Sequence, residues 1–402
     1  MDIRSGTVTQ KPPGSAPWEQ VVFQQSPYFD EKMLHQLTQV PFDSSWNELS
    51  HDLLNQVKAK IEPLEKNHQW ENLKKRTNPY ELVYTQDNAD CPASIAMLRP
   101  LSRSYFKMVE ILNVSNFFER IPKGTNKIRT AHVAEGPGGF IEAVLDRASC
   151  HRLSISKIFA MTLKPTNNHI PGWRRAYHFL QKHPEVKIHY GQDGTGDLYK
   201  TENQSTFIDL FQSAKALLFT GDGGFDFSVN YENQERSMFL LLVASAITGL
   251  QVLSAEGTLV LKLFDLFSPS TQFLLRCITL CFKEWVLYKP AMSRPCNSER
   301  YLLCRGFRKP FPQILSILKK IEEKGRESLF SSVDPFAFFS EKEKQYLEEH
   351  ILQFNNQQIE NIENTILLQE IPADKYDWKT HYVAAQKWCS HFSVPYVKPK
   401  VY

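Results

Sequence analysis

HVAEGPGGFIEAVLDR, from His132 to Arg147, joins two different periodic patterns across a glycine-rich loop. Ile128 to Ala134 is an apolar run typical of a buried strand, whereas Phe140 to Arg147 has the spacing of an amphipathic helix. In a doubly wound α/β sheet, a glycine loop between the first strand and its helix lets the backbone approach a ligand above the strand ends. The stretch predicts this fold with a binding loop, and a glycine turn that serves packing alone is the alternative.

Further apolar runs alternate with helical patterns between residues 95 and 308. The strand candidates are IRTAHVA, IFAMTL, KALLFTGD, GTLVLKLF, EWVLYKP and RYLLCRGF. Alternation of this kind is typical of a mainly parallel sheet with helices on both faces. We therefore predict a Rossmann-like, doubly wound α/β domain over 95–308, between an N-terminal tail and helical extension over 1–94 and a helical C-terminal extension over 309–402.

Composition limits the class of protein without naming its partner. The net charge is +3, from 47 basic and 44 acidic residues, so a nucleic-acid surface would have to be a local patch. Polar residues interrupt the apolar stretch from Met238 to Ala255, which favours a buried helix over a membrane span. Seven scattered cysteines without a CxxC pair fit a reducing compartment, and Cys277 and Cys281 fit a core. We expect an intracellular protein, nuclear or cytoplasmic, with no membrane contact and no metal.

The loop sequence narrows the ligand that it could bind. No Gly-Lys-Ser/Thr follows it, as a triphosphate-binding loop requires, and the spacing differs from the G-x-G-x-x-G of dinucleotide sites. A cationic nucleoside without phosphates, such as S-adenosylmethionine, would suit a loop that carries the acidic Glu135.

Four charged residues lie at the ends of predicted strands or on a predicted amphipathic helix. Asp222 ends the strand KALLFTG, and Lys262 ends the apolar strand that runs from Thr258 to Leu261. A partly buried ammonium needs partners or must lose its proton, so a lysine there is costly unless it has a role. Glu299 precedes the last strand, and Lys107 lies on the helix RSYFKMVEILN. Each alone is explained by a salt bridge or solvation, but together they indicate a site.

These motifs resemble the FtsJ-like ribose 2′-O-methyltransferases, above all the members that act on mRNA caps. The resemblance covers about half of the chain and rests on YFKM, EGPGGF, GQDGTGDLY, GDGGFDF, LKLFDLFSP and SRPCNSERYLLC. It implies a catalytic tetrad of Lys107, Asp222, Lys262 and Glu299, with S-adenosylmethionine as the methyl donor. It also implies that Asp197 contacts the cofactor and that Asn297 contacts RNA. The domain over 95–308 would then be the FtsJ-like methyltransferase domain.

The expected binding residues follow from the loop, the resemblance and the local charge. We expect the cofactor to contact Glu135, Gly136, Pro137, Gly138, Gly139, Phe140, Asp197 and Asp222. Lys164 stands where many methyltransferases of this fold have an acidic residue, so the ribose contact must come from Asp193 or Asp197, and the motif favours Asp197. Asn297, Arg294 and Arg174 are the expected RNA contacts, with Arg175 and Lys289 as further basic candidates, although each basic residue could instead be a solvated loop charge.

The resemblance implies methyl transfer to the ribose 2′-hydroxyl of a 5′-proximal nucleotide of capped mRNA. Lys262 would act as the base or would orient the hydroxyl. Burial and Lys107 would lower the pKa of Lys262 and so favour a neutral base, whereas Asp222 and Glu299 would raise that pKa. The sequence leaves the net shift open. Ribosomal or transfer RNA is an alternative substrate, and a non-catalytic RNA-binding subunit is an alternative function.

Overall fold

The structure is a computed structural model that describes residues 15–27, 52–85, 91–166, 172–224, 234–324 and 339–398. The predicted N-terminal tail lies almost wholly outside these ranges. Part of the predicted N-terminal helical extension and the residues that follow GDGG also fall outside them.

An eight-stranded sheet forms the centre of the molecule, in the order β1-β7-β8-β6-β5-β2-β3-β4. The strands are β1 (Gln24–Gln25), β2 (Lys127–Val133), β3 (Ser154–Met161), β4 (Val186–His189), β5 (Ala216–Gly221), β6 (Leu253–Leu263), β7 (Phe282–Tyr288) and β8 (Arg300–Phe307). Pairing is parallel from β6 through β5, β2 and β3 to β4, and antiparallel from β1 through β7 and β8 to β6. The predicted mainly parallel α/β fold is confirmed, and so are all six predicted strands.

Helices cover both faces of the sheet. They are α1 (Asp52–Ala59), α2 (Glu62–Lys66), α3 (Trp70–Thr77), α4 (Ser104–Val114), α5 (Gly139–Cys150), α6 (Tyr177–Lys182), α7 (Thr201–Asp209), α8 (Gln234–Val252), α9 (Pro269–Leu280), α10 (Pro312–Lys324), α11 (Glu341–Leu367) and α12 (Lys379–His391). Side chains of α8, α9 and α10 form one buried core with the sheet. Side chains of α4, α5 and α12 form a second core on the other face.

Helix α8 contains most of the apolar stretch that we predicted to be a buried helix. By length and composition it could cross a membrane, but 72% of its most apolar window is buried inside the molecule. A helix that is apolar all round is typical of the core of a large domain. The prediction of a buried helix is confirmed, and Cys277 and Cys281 of α9 are core residues as expected.

The two extensions pack into the sheet domain rather than beside it. Trp388 of α12 is fully buried and lies 5.7 Å, between ring centroids, from Phe106 of α4. Helices α1 and α3 pack against α11 and form a third apolar cluster with it. The boundaries that we predicted at 94/95 and 308/309 therefore do not separate independent cores.

Candidate active site

Four elements bring Lys107, Asp222, Lys262 and Glu299 to one edge of the sheet. Strands β5 and β6 are parallel, so Asp222, directly after β5, and Lys262, near the end of β6, lie at the same edge. Strand β8 is antiparallel to β6, and its first residue pairs with Leu263, so Glu299 also lies at this edge. Lys107 reaches it from the first turn of α4.

The four side chains form a continuous chain of ion pairs. Lys107 Nζ lies 2.6 Å from Glu299 Oε1, and Lys262 Nζ lies 2.9 Å from Asp222 Oδ1 and 3.7 Å from Glu299 Oε2. Lys262 also donates to the backbone oxygen of Asp222 at 3.0 Å. Their side chains are only 10 to 14% exposed, so the charges interact with little solvent screening but stay accessible from one side.

The carboxylates decide the protonation of Lys262, which the sequence left open. Burial alone would lower the pKa of Lys262, but the adjacent carboxylates of Asp222 and Glu299 outweigh burial and raise it above its ordinary value. Burial would raise the pKa of Glu299, yet Lys107 and Lys262 hold it well below its usual range. Lys262 is therefore an ammonium and Glu299 a carboxylate in this arrangement.

Close packing explains why two positions of the loop are glycine. A Cβ at Gly139 would lie 2.3 Å from the hydroxyl oxygens of Ser102 and Ser104, so Gly139 lets α4 and α5 approach closely. Gly138 has φ +103°, which L side chains rarely adopt, and a Cβ there would lie 3.0 Å from the ring of Trp173. Packing explains these two positions, and a cofactor contact of the predicted loop residues Gly136, Pro137, Gly138 and Gly139 stays a prediction.

Glu135 faces the protein interior rather than the open edge. Its carboxylate is 1% exposed and accepts a hydrogen bond from Thr220 Oγ1, while Oε2 lies 3.3 Å from His132 Nδ1. His132 Nδ1 in turn shares a hydrogen bond with Thr220 Oγ1 at 2.7 Å. Burial raises the pKa of Glu135. Phe140 is likewise buried, 5.9 Å between ring centroids from Tyr301, so both residues support the site from beneath, and their contact with a ligand stays a prediction.

Hydrogen bonds in the tract GQDGTGDLY distinguish Asp193 from Asp197, the two candidates that the sequence offered for the ribose contact. Asp193 accepts hydrogen bonds from Thr195 and Asn203 through Oδ1 and pairs with Lys200 through Oδ2, so it builds the turn. Among the described residues, the Asp197 carboxylate accepts one hydrogen bond, from the Tyr199 amide to Oδ1. The occupied carboxylate of Asp193 leaves Asp197 as the better candidate for a ribose contact.

Gly196 fixes where Asp197 lies. A Cβ at Gly196 would stand 2.0 Å from the backbone oxygen of Thr162, so the tract passes directly over the end of β3. Gly196 has φ +69°, which also favours glycine. Asp197 therefore stands at the same edge of the sheet as the four charged residues.

The predicted RNA contacts are not equally available. Asn297 and Arg174 are exposed, as is Arg175. Arg294, by contrast, is held by Glu81 of the N-terminal extension, with Nη2 2.9 Å from Oε1 and Nε 3.2 Å from Oε2. Arg294 is thus committed to an internal ion pair, and a direct RNA contact by it stays a prediction without support from its surroundings.

Three further residues contact the site. The sequence did not mark Tyr301 and Glu81 as site residues, and it marked Lys289 only as a basic candidate for an RNA contact. Tyr301 donates to Asp222 Oδ1 at 2.8 Å. Lys289 Nζ donates to the backbone oxygens of Asn297 at 2.5 Å and Glu299 at 2.9 Å. Glu81 is fully buried between Arg294 and Arg103. Lys289 was a basic candidate from the sequence, and Tyr301 also had a sequence signal, because it follows Glu299 by two residues and so lies on the same face of the chain. Nothing in the sequence near Glu81 marked it.

Comparison with known proteins shows which family the chain resembles. The FtsJ-like methyltransferase family model matches residues 100–307, almost the same range as the domain that we predicted over 95–308. The chain is 30% identical over 289 residues to cap-specific mRNA (nucleoside-2'-O-)-methyltransferase 1 of Xenopus laevis, covering 67% of this chain and 32% of that protein. It is 32% identical over 251 residues to the protein of the same name from Danio rerio, covering 58% and 28%.

A shorter relative with the same name has a similar identity to the chain. The chain is 31% identical over 213 residues to cap-specific mRNA (nucleoside-2'-O-)-methyltransferase 1 of Trypanosoma cruzi (strain CL Brener), covering 51% of this chain and 56% of that protein. The chain thus spans about a third to a half of the length of these relatives. The family model matches just over half of the chain, around the edge of the sheet where the four charged residues meet. The chain belongs to the FtsJ-like methyltransferase family.

Proposed function

We propose that the chain transfers a methyl group from S-adenosylmethionine to the ribose 2′-hydroxyl of a 5′-proximal nucleotide of capped mRNA. The observation that carries the proposal is the ion-pair chain of Lys107, Glu299, Lys262 and Asp222 at the open edge of the sheet. Membership of the FtsJ-like family supports methyl transfer, and the names of the relatives support a capped mRNA substrate.

The open edge has residues that suit S-adenosylmethionine. Asp197 offers a carboxylate oxygen without a hydrogen-bond partner among the described residues, and ribose hydroxyls are suitable donors to it. A Cβ at Gly224 would stand 3.4 Å from Lys262 Nζ, so glycine leaves open the space next to the lysine. When bound, the cofactor supplies a methyl group on a positively charged sulfur that an oxygen nucleophile can take.

In the proposed reaction, Lys262 holds the 2′-hydroxyl and accepts its proton as the new carbon–oxygen bond forms. The bond between the methyl carbon and the sulfur would break at the same time, and S-adenosylhomocysteine would leave as a neutral thioether. Asp222 positions the ammonium through its carboxylate and its backbone oxygen, at 2.9 and 3.0 Å. Glu299, held by Lys107, fixes Lys262 from the other side. Because the carboxylates raise the pKa of Lys262, it must first lose a proton, and the reactive form is a minor one at neutral pH.

The RNA would approach over the loop between β7 and β8. Asn297 is exposed in that loop, and Arg174 is exposed after Trp173, which packs against the glycine loop. Ribose methylation requires the 2′-hydroxyl that distinguishes RNA from DNA. Arg294 would act indirectly, because Glu81 occupies its guanidinium.

Transfer of labelled methyl to matched capped and uncapped RNAs tests the proposal, with nuclease digestion to locate the label. We expect label on the ribose of the first or second nucleotide of capped RNA, and Lys262→Ala to remove it. Lys283→Ala, which changes an exposed lysine paired with Glu256, is the matched control and should keep full transfer. Label on uncapped ribosomal or transfer RNA would contradict the cap assignment, and cofactor binding without any transfer would contradict catalysis.

A further inference from the structure

A cavity of about 750 Å³ lies beside the loop that carries Asn297 and Glu299. Four parts of the chain line it: residues 15–22, residues 77–80, the stretch from β7 through this loop to Arg300, and one face of α11. Its volume falls within the range of about 300 to 1000 Å³ that is typical of small-molecule sites. The cavity is therefore large enough for a nucleotide.

The cavity lining has no acidic side chain among the described residues. Among the described residues that line it, Lys289 and Arg300 carry the formal charges, and none is an aspartate or glutamate. This contrasts with the nearly balanced charge of the whole chain, 47 basic against 44 acidic residues. Both groups have internal partners: Arg300 Nη2 lies 3.7 Å from Asp265 Oδ1, and Lys289 Nζ donates to the backbone oxygens of Asn297 and Glu299, while burial lowers the pKa of Lys289 to about 7. The lining therefore has no negative charge that would repel a phosphate ester.

Helix α11 presents a column of rings to the cavity. Tyr346, His350 and Phe354 follow at intervals of four residues, with centroids 5.5 and 4.3 Å apart. The guanidinium of Arg300 lies 4.4 Å from the centroid of Phe354. Aromatic and guanidinium planes are the groups on which proteins stack unpaired bases of RNA.

Polar groups without partners stand among these rings. His350 Nε2 is buried with no hydrogen-bond partner among the described residues, and burial lowers the pKa of His350 to about 3, so the ring is neutral. The exposed side-chain amides of Gln353 and Gln357 line the same face of α11. Side-chain amides can pair with the edge of a base through one donor and one acceptor.

The cavity adjoins the tetrad through a single loop. Asn297 and Ser298 line the cavity, and the next residue, Glu299, belongs to the ion-pair chain. Lys289 holds both ends of this short stretch by donating to the backbone oxygens of Asn297 and Glu299. Consecutive Cα atoms are about 3.8 Å apart, so the two sites are separated by about the length of one or two residues.

We propose that this cavity binds a nucleotide of the substrate RNA other than the one whose ribose is methylated. Its base would lie against the rings and amides of α11. The inference rests on the proposed function for the identity of the RNA, but binding can be measured whether or not methyl is transferred.

The test is the affinity for a labelled short single-stranded RNA, capped and uncapped, measured by fluorescence anisotropy on the full chain. Gln353→Glu with Gln357→Glu introduces two carboxylates at exposed positions that line the cavity. We expect at least about a tenfold weaker RNA affinity with an unchanged thermal midpoint and unchanged S-adenosylmethionine affinity. Asn356→Asp with Asn364→Asp is the matched control: it adds the same two negative charges at exposed positions of α11 that do not line the cavity, and it should keep wild-type affinity.

A neutral variant separates ring contacts from charge repulsion. Phe354→Leu should weaken RNA binding, and a crosslink from 4-thiouridine-containing RNA should map to the peptide around 346–358. Wild-type affinity in the glutamate variant, or no RNA binding by the wild-type chain, would overturn the inference. RNA binding that the glutamates weaken, without methyl transfer by the wild type, would support the cavity and contradict only the proposed function.

Discussion

Lys262 shows how two carboxylates can reverse the effect of burial on a lysine. Its side chain is 11% exposed, and burial by itself favours the neutral amine. Asp222 at 2.9 Å and Glu299 at 3.7 Å restore the charge and raise the pKa. The same contacts that orient the nitrogen therefore keep it protonated, so positioning and basicity are in opposition at this residue.

This opposition predicts the pH dependence of methyl transfer. If Lys262 accepts the hydroxyl proton, its neutral form is required, and its raised pKa means that this form increases with pH. We expect kcat to rise about tenfold per pH unit between about pH 6 and 8, with the cofactor affinity nearly constant. Single-turnover rates across this range are the measurement. A flat profile would contradict the role of base and leave Lys262 as the group that orients the hydroxyl.

Tyr301 is predicted to support the site without taking part in the chemistry. Tyr301→Phe removes the hydroxyl that donates to Asp222 Oδ1 at 2.8 Å and leaves the ring in place. We expect a loss of about 1 kcal/mol in unfolding free energy and about a tenfold lower kcat, because Asp222 is held less firmly. Tyr177→Phe is the control, since Tyr177 is 60% exposed. Unchanged kcat in Tyr301→Phe would show that the ion pair alone positions Asp222.

Among the elements, the N-terminal extension contributes a buried clamp between α4 and the loop before β8. Glu81 contacts Arg103, one turn before Lys107, at 3.1 Å and Arg294, three residues before Asn297, at 2.9 Å. Asn78 donates to the same carboxylate at 2.9 Å. The two arginines hold the pKa of Glu81 below its ordinary value, although burial opposes them. The clamp fixes two elements of the site relative to each other.

Breaking the clamp is predicted to cost far more than breaking a neighbouring surface pair. Glu81→Gln removes the fully buried carboxylate that neutralises the mostly buried Arg103 and Arg294, and leaves only the exposed Glu71 near Arg294. We expect a loss of about 3 kcal/mol in unfolding free energy. Glu71→Gln is the matched control, because Glu71 reaches the same Arg294 at 3.8 Å but is 65% exposed, and it should cost less than about 1 kcal/mol. Urea unfolding near neutral pH compares them. Equal losses would show that burial adds nothing to this ion pair.

A second buried carboxyl links α4, the loop after β7, and α12. Glu110 is fully buried and accepts hydrogen bonds from the Ala291 amide at 2.6 Å, Trp388 Nε1 at 2.9 Å and the Tyr288 hydroxyl. Burial raises its pKa to about 7, although these donors favour the charged form. Its unfolded pKa is about 4.3. The native state therefore binds an additional proton between about pH 4.3 and 7.

This proton predicts the pH dependence of stability. The contribution of Glu110 is complete below its unfolded pKa and is lost as the pH rises through about 7, because the native state must then ionise a buried group. Relative to Glu110→Gln, we expect the wild type to lose up to about 3 kcal/mol between pH 4.5 and 7.5. Unfolding at several pH values measures the difference. Glu119→Gln, an exposed change after α4, is the control, and a constant Glu110 difference would contradict the buried proton.

The strands that the sequence predicted are those whose apolar runs reflect burial on both faces. β2, β5 and β8 are almost wholly buried, and a buried strand has a continuous apolar pattern. β4, at the edge of the sheet, reads VKIH and has one buried residue, and β1 has only two residues, so neither produces such a run. The charged residues at the strand ends were predictable for the same reason, because each interrupts an apolar run.

In the whole molecule, the helical extensions were predictable but their packing was not, because their contacts join residues far apart in sequence. Nothing near Glu81 marks it as a partner of Arg294, and nothing near Trp388 marks it as a neighbour of Phe106. The core on one face of the sheet takes side chains from 80–83, 105–117 and 384–394. Local periodicity reports which side of a helix is buried, but not what covers it.

This shared core predicts that α12 and α4 unfold together. Trp388 is fully buried against Phe106 and Phe392 and donates to Glu110, so Trp388→Ala should cost about 3 to 5 kcal/mol. Val383→Ala, on the same helix but 67% exposed, should change stability by less than about 0.5 kcal/mol.

Hydrogen exchange followed by mass spectrometry distinguishes a shared core from an appended helix. If the core is one cooperative unit, Trp388→Ala will accelerate exchange in α12 and in α4 by the same factor, because both are protected by the same unfolding free energy. If only α12 exchanges faster while α4 keeps its protection, the helix opens on its own and the extension is dispensable for the fold. The first result would make the helix that carries Lys107 dependent on the far end of the chain, so that mutations in α12 reduce activity without touching the site.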